Sequence, residues 1–384
     1  MISKPTIQEV FQRFYPEYIE KYTTTFEQQK VANNIINCKT GAYGANVSEC
    51  GKCGNKQIHY NSCRNRSCPM CQAIPKEKWV DKRREDVLEA PYFHVVFTVP
   101  QELNIIMYHN QKLLYGLFYK AAAETLSDLS KDKKYLGAKI GFISILHTWG
   151  SSLVYHPHLH VVVLGGGLDK YNRWKDNGSE FFLPLKVIGA LFRGKYMQEL
   201  KELWKSDKLK FHGESEKYRN HYEMQSLIDD CYEKTWIPYI KKTFNGAMSV
   251  INYLGRYTHR IAISNARIVS MDENNVTFRY KDYKDNGTMK VMTVSGLEFV
   301  RRFLMHVPPR KFVRIRHYGV LSTRSKGKNL VTCRNQLGCE KYISVLKDKP
   351  IQEVLKILYN VDICVCKSCG HRLGESYQVK TLLE

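Results

Sequence analysis

Two C-x-x-C pairs, Cys50-Gly51-Lys52-Cys53 and Cys68-Pro69-Met70-Cys71, stand fourteen residues apart and constrain the fold of this chain more than any other feature. Each pair fits a tight knuckle, with Gly51 and Gly54 around the first and Pro69 inside the second. Four thiolates so arranged close a tetrahedron around zinc, and zinc binding then contributes directly to folding of the segment. Cys63 is a fifth candidate ligand, and Cys38 and His59 are weaker ones. Near the C-terminus, Cys366-Lys367-Ser368-Cys369 forms one further knuckle beside Cys364 and His371. Its expected partners in a second zinc site are Cys333 and Cys339. Cys231, alone on a predicted helix, reads as core. Twelve cysteines in a chain whose start, MISKPTIQEV, lacks an apolar signal core point to metal rather than disulfides, and to a cytoplasmic location.

Between the cysteine-rich segments the pattern is mixed. Thr6-Ile7-Gln8-Glu9 matches a capping box ahead of a helically spaced Ile7, Val10, Phe11 and Phe14. Further helices are predicted over about 25–37, 76–89, 101–130, 185–206 and 223–243, and one that begins after Asn245-Gly246 and runs to about His259. Strands are predicted over 93–99, 140–147 and 158–164, the last closed by Gly165-Gly166-Gly167. More strands follow over 261–300, with turns at Asn274-Asn275 and Asp285-Asn286-Gly287. Residues 140–168 lack Asp, Glu, Lys and Arg, but four histidines, one proline and five glycines argue for buried strands rather than a membrane span. Strands interspersed with long helices define an α+β class.

The strand reading gives weight to His158-Leu159-His160. Alternation along a strand projects both imidazoles on one face, about 7 Å apart, where they can share a metal ion. An apolar core strand has no reason to carry two polar rings on one face. The third ligand stays open between His156, which shares their parity, and His147 and His94 on neighbouring predicted strands. The formal net charge is +22, from 59 Lys/Arg against 37 Asp/Glu, which points to a polyanionic partner, most often nucleic acid. The excess is concentrated from Arg301 to Cys339, with ten Lys/Arg, Arg314 and Arg316 among them, and no Asp/Glu. Arg64 and Arg66, between the cysteine pairs, are candidate phosphate contacts as well.

Tyr253 and Tyr257 are four residues apart, hence on one face of a helix, and Arg256 and Arg260 share a neighbouring face. A phenol, with a pKa of about 10, is a weak nucleophile at neutral pH. It can attack a phosphodiester when Mg²⁺ or Mn²⁺ held by the histidines polarises the phosphate. The products are a 5′-phosphotyrosyl enzyme and a free 3′-hydroxyl. The bond energy is kept for rejoining, and a second tyrosine allows a second transfer.

Pro157-His158-Leu159-His160, the run Tyr253-Leu254-Gly255-Arg256-Tyr257-Thr258-His259-Arg260-Ile261-Ala262-Ile263-Ser264, and the cysteine module with Tyr60-Asn61-Ser62-Cys63-Arg64-Asn65-Arg66 together resemble one family. It is the two-tyrosine HUH transposases of bacterial rolling-circle insertion sequences, a group that includes common-region elements. The resemblance spans about residues 15–330. One departure is Ser67, where the family often has His. The resemblance implies an antiparallel, RRM-like palm sheet with flanking helices, an N-terminal zinc ribbon and a small Cys-rich C-terminal module. It implies His158 and His160 as catalytic metal ligands, Tyr253 and Tyr257 as nucleophiles, and single-stranded DNA at element ends as substrate, without a membrane. The expected organisation is a helical and zinc-binding DNA-binding unit over 1–90, the nuclease core over 91–265, a basic β-rich extension over 266–330 and the Cys-rich module over 331–384. A cytoplasmic, nucleoid-associated rolling-circle transposase is the leading expectation. A replication initiator or relaxase shares its chemistry. A DNA-binding protein with an inactive nuclease core and a zinc hydrolase are readings of other classes; the latter leaves the tyrosines and the charge unexplained.

Overall fold

The computed structural model describes residues 4–176, 183–243, 250, 255, 261–283 and 285–379. The predicted N-terminal cap is present. The Thr6 hydroxyl accepts from the Glu9 N–H at 3.2 Å, and the Glu9 carboxylate accepts from the Thr6 N–H at 2.6 Å. The cap opens α1 (Ile7–Lys21), and Thr25 with Gln28 repeats it at α2 (Phe26–Ile36). There follow β1 (Ala45–Glu49), β2 (Lys56–Tyr60), α3 (Ala73–Arg84), β3 (Tyr92–Thr98), α4 (Asn104–His109), α5 (Gln111–Lys131), β4 (Lys139–Trp149), β5 (Tyr155–Leu168) and β6 (Trp174–Asp176). After them come α6 (Leu185–Lys205), α7 (His221–Glu233), β7 (Tyr239–Thr243), β8 (Ile268–Met271), β9 (Asn275–Asp282) and β10 (Thr288–Ser295). Helix Gly296–Leu304, β11 (Ile315–Gly319), helices Lys326–Leu337 and Ile351–Tyr359, and β12 (Tyr377–Val379) complete the order. The class is α+β, as the sequence pattern implies.

The central sheet runs β11-β4-β5-β3-β7, with β6 added on β5, and every pairing is antiparallel. Alternation gives it two unlike faces. Phe97, Leu159 and Leu146 form one row of the first face, followed by Val95, Val161, Phe93, Val163 and Phe142. All pack against α5, α6 and α7 in the largest core cluster. Each such buried side chain contributes roughly 1.5–3 kcal/mol, so this face holds the sheet rigid. The opposite face carries Ile143, Ile145, Val162 and Leu164 under Val250, Val320, Leu321 and Leu330. The same face carries the histidines at its other end.

Four local outcomes depart from the sequence pattern. β5 begins at Tyr155 and runs through Gly165-Gly166-Gly167 to Leu168 instead of ending at the glycines. Their missing side chains let neighbours approach: a Cβ on Gly166 would meet the Trp174 ring at 2.3 Å, and one on Gly167 the Lys139 carbonyl at 2.4 Å. The predicted helix over 101–130 breaks at Asn110, whose amide donates to the Ile106 and Lys210 carbonyls and accepts from the Lys210 N–H. The predicted helix over 223–243 ends at Glu233. Pro238 cannot continue it, and Tyr239–Thr243 joins the sheet edge beside β3 instead. Strand character over 261–300 stops at Ser295, whose hydroxyl caps the helix Gly296–Leu304 by accepting from the Glu298 N–H. The predicted hairpin turn is found, with Asn286 at φ 47° and Gly287 at φ 77° joining β9 to β10.

A small sheet of order β12-β1-β2 unites the two ends of the chain. Ala45 pairs with both Tyr60 and Val379, so the last strand completes a sheet begun by the first.

Candidate metal centres

Register alone brings three histidines together. His147 on β4 lies directly opposite His158 on β5, and His160 lies two residues further along the same face. One ring nitrogen from each falls within 4.8 Å of the other two. The rings stand edge-on to one another, with centroid separations of 4.8–5.6 Å and interplanar angles of 72–84°. Their lone pairs can therefore converge. His158 Nδ1 donates to the His156 carbonyl at 2.7 Å, which places the remaining lone pair on Nε2. His160 Nδ1 lies 2.9 Å from His94 Nε2 on β3, a contact that orients the His160 ring in the same way. Burial, followed by the nearby His158, pushes His94 down to about 4, so it is neutral at pH 7. His147 is stacked on Trp149 at 4.6 Å and 18°, which holds its ring in place. His147 and His160 are buried, whereas His158 is partly open, so solvent and a ligand can reach the centre from that side.

Of the three candidates left open for the third position, geometry groups His147 with His158 and His160. His94 touches His160 from behind, and His156 is exposed and offers its carbonyl to His158. Tyr253 and Tyr257, with Arg256 and Arg260, lie outside the described residues. Two of their neighbours in sequence are described. Val250 is buried in the cluster on the histidine face, and Gly255, between the tyrosines in sequence, packs on α3.

The cysteines group differently from the spacing-based expectation, which joined Cys50 and Cys53 to Cys68 and Cys71. One set is Cys38, Cys63, Cys68 and Cys71; the other is Cys50, Cys53, Cys366 and Cys369. Within the first, Cys71 Sγ lies 3.5 Å from Cys38 Sγ and 3.6 Å from Cys63 Sγ. Within the second, Cys50–Cys369 and Cys53–Cys366 are 3.6 and 3.7 Å apart. Zinc–thiolate bonds of about 2.3 Å give tetrahedral edges of about 3.8 Å, so both sets have the size of a zinc site. The separation also excludes disulfides, whose sulfurs lie about 2.05 Å apart. Shared protons among the first four sulfurs hold Cys71 far below the usual thiol range and Cys68 far above it. In the second set, the N–H groups of Cys369 and Ser368 hold Cys366 down to about 6.

The physical reason for the regrouping is the β12-β1-β2 sheet. It sets the knuckle of Cys50-Gly51-Lys52-Cys53-Gly54 against that of Cys366-Lys367-Ser368-Cys369-Gly370. Gly54 and Gly370 take the same left-handed turn, at φ 69° and 72°, and their N–H groups donate to the Cys50 and Cys366 carbonyls. Cys333 and Cys339 are not part of either set. Cys333 is buried in the core cluster on the histidine face, with Cys339 packed against that cluster. Cys231 is buried in the large core, as its sequence context implies. Cys38 belongs to no C-x-x-C pair, so spacing carried little signal for it.

The candidate DNA-contacting arginines divide. Arg66 donates to the Phe312 and Pro309 carbonyls at 2.7 and 3.3 Å, tying the cysteine segment to the turn before β11. Arg316 lies over the Tyr119 ring at 4.1 Å, and Arg314 over Trp149 at 5.8 Å, beside the histidines. Burial, with Arg66 nearby, pushes Arg314 down to about 10, which still leaves it charged at pH 7. Arg64 is exposed.

A central antiparallel sheet bearing a three-histidine centre, flanked by two four-cysteine sets of zinc size, defines a metal-binding α+β protein of the zinc-module type. Comparison with known proteins specifies the class further. Residues 141–329 match the family described as "Putative transposase", and residues 10–99 match the "Transposase zinc-binding domain" of the IS91 type. The chain is 41% identical over 338 residues to "Putative transposase y4qJ" of Sinorhizobium fredii, covering 88% of this chain and 85% of that one. It is 29% identical over 358 residues to "Transposase for insertion sequence element IS801" of Pseudomonas savastanoi pv. phaseolicola, covering 90% of this chain and 82% of that one. No solved structure matches the chain. The chain belongs to the transposase family with an IS91-type zinc-binding domain, and so acts on DNA by cleavage and strand transfer. No helix among the described residues is long and apolar enough to cross a membrane.

Proposed function

We propose that this transposase nicks and rejoins single-stranded DNA at element ends through 5′-phosphotyrosine intermediates, as a rolling-circle enzyme of the HUH type. The observation that carries the reading is the convergence of His147, His158 and His160 from two adjacent strands, open at His158. A divalent cation bound there supplies charge to polarise a scissile phosphate and stabilise its transition state. Three imidazoles are a softer donor set than Mg²⁺ prefers, which favours Mn²⁺. His94 and the His156 carbonyl keep the ligand rings oriented. Tyr253 or Tyr257 gives up its phenol proton and attacks phosphorus, the P–O3′ bond breaks, and the leaving 3′-oxygen takes up a proton, so the step is proton-neutral overall. Attack of a 3′-hydroxyl on the phosphotyrosine reverses the step and joins strands. Arg314 beside Trp149 and exposed Arg64 supply positive charge for the strand; Arg256 and Arg260 are assigned to DNA contact from their sequence context alone.

Each four-cysteine set holds one structural zinc ion in this reading: one within the N-terminal segment, the other shared by Cys50, Cys53, Cys366 and Cys369.

The test is a covalent adduct assay. With Mn²⁺ and a labelled single-stranded oligonucleotide carrying an element end, the wild-type protein is expected to form a denaturation-resistant adduct. The Tyr253→Phe, Tyr257→Phe double variant is expected to form none. His158→Ala is expected to lose at least ~100-fold in adduct rate while retaining DNA affinity. An adduct that survives loss of both tyrosines overturns the chemistry. Binding with no adduct in the wild type favours the inactive DNA-binding alternative.

A further inference from the structure

At the end of the central sheet remote from the histidines, the β5–β6 hairpin, the start of β4 and the end of α5 enclose a cavity of about 740 Å³. Six cations line it: Lys131, Lys133, Lys139, Lys170, Arg173 and Lys175. Its one acidic lining residue, Asp169, is already engaged, accepting from the N–H groups of Tyr171 and Arg173 and pairing with the Arg173 guanidinium. Among the described residues the five lysines have no carboxylate partner. Two of them are held near each other. Lys133 Cγ and Lys175 Nζ lie 3.6 and 3.9 Å from the place a Cβ on Gly137 would occupy. Gathering like charges without counter-charge costs free energy unless an anion joins them.

An aromatic ring stands at the rim. Tyr171 is 63% exposed, with Lys170 Nζ at 4.7 Å and the Arg173 guanidinium at 4.9 Å from its ring. Cations that follow a phosphate backbone beside an exposed ring that can stack on a base are the usual equipment of a nucleic-acid site. The hairpin is braced for this. Gln336, on the helix Lys326–Leu337, accepts from the Trp174 N–H and donates to the Asn172 carbonyl.

We infer that this basic cavity is a second DNA site, which binds the phosphate backbone of the substrate away from the scissile phosphate and stacks a base or sugar on Tyr171. The inference rests on the DNA-strand-transfer reading above. Eight residues of β4 separate Lys139 from His147, or roughly 26 Å at 3.3 Å per residue. A strand held at the histidines must cover that distance to reach the cavity, so the site binds DNA flanking the cleavage point.

The experiment compares a hexanucleotide centred on the nick, too short to reach the cavity, with a 30-mer that extends beyond it. Full-length protein is used as wild type, as Lys139→Glu with Lys175→Glu, and as Tyr171→Ala. Both lysines are exposed, and an unchanged melting temperature verifies the fold. Expected for the charge reversal are about tenfold or greater loss of affinity for the single-stranded 30-mer and a salt slope shallower by about 1.4, two phosphate contacts at about 0.7 each. Hexanucleotide binding and adduct formation stay as in the wild type. Tyr171→Ala is expected to weaken the 30-mer severalfold at an unchanged salt slope. Wild-type affinity of the charge-reversed protein for the 30-mer overturns the inference. So does an equal loss on both substrates, which would place the lysines at the cleavage point. Absence of any adduct in the wild type defeats the catalytic reading instead, and the 30-mer comparison still decides the second site.

Discussion

His306 illustrates how a single ring can carry pH dependence. It is buried, accepts from the Thr148 hydroxyl at Nδ1 and donates from Nε2 to the Leu153 carbonyl. Burial pushes it down to about 4, the Leu153 contact opposes this, and the charge of Arg301 lowers it further. In the unfolded chain it titrates near 6.5. Between those values the unfolded state binds more protons, so its contribution is complete above pH 6.5 and is lost as pH falls towards 4. The loss reaches about 3 kcal/mol. His94 and His317 are depressed to about 4 as well and share the window. The informative quantity is therefore the difference between wild type and His306→Gln. Urea unfolding at pH 7 and pH 4.5 is expected to show a smaller fall for the variant. Equal falls would assign the dependence to other groups.

At the scale of elements, α3 is the piece that links the segment at Tyr342–Leu346 to Gly255. On one side Val80 meets Gly255, where an added Cβ would lie 2.6 Å from Val80 Cγ2. On the other, buried Asp81 accepts from Tyr342, Ser344 and the Leu346 N–H. Burial raises its carboxyl, and these hydrogen bonds outweigh that and hold it below the usual range. Gly255→Ala is expected to cost about 1–3 kcal/mol through overpacking and to lower adduct yield more than DNA affinity. Val80→Ala in the same protein should restore part of both losses. If Gly255→Ala forms adduct at the wild-type rate, close packing on α3 is not needed to place the nucleophiles.

Much of this element-level arrangement was legible in the sequence. The Thr6 and Glu9 cap, the Asn286-Gly287 turn and the three core strands follow from local chemistry, and period-two alternation placed His158 and His160 on one face. What local chemistry does not contain is register across strands. Only the pairing of His147 with His158 selects the third histidine, and only β1–β12 pairing selects the cysteine partners. The glycine run in β5 misled for a related reason. Glycine ends strands when read locally, but here it admits Trp174 and Lys139 from neighbouring strands.

Across the whole molecule, the cysteine sets make metal content a measure of architecture. Two zinc ions per chain are expected by elemental analysis of the purified protein. Cys366→Ser should reduce this to one and expose the segment beyond residue 340 to limited proteolysis, while Cys333→Ser with Cys339→Ser should leave it at two. Two zinc ions retained in Cys366→Ser would refute the shared site. The closure of the small sheet also has a meaning in time. The knuckle at Cys53 is made early in synthesis, yet Cys366 lies 313 residues behind it. At roughly 5–20 residues per second, the ribosome leaves the first knuckle waiting on the order of 15–60 seconds for its mate. During that interval two exposed thiols compete for any metal or chaperone nearby, and a chain broken off before its end never closes the ring.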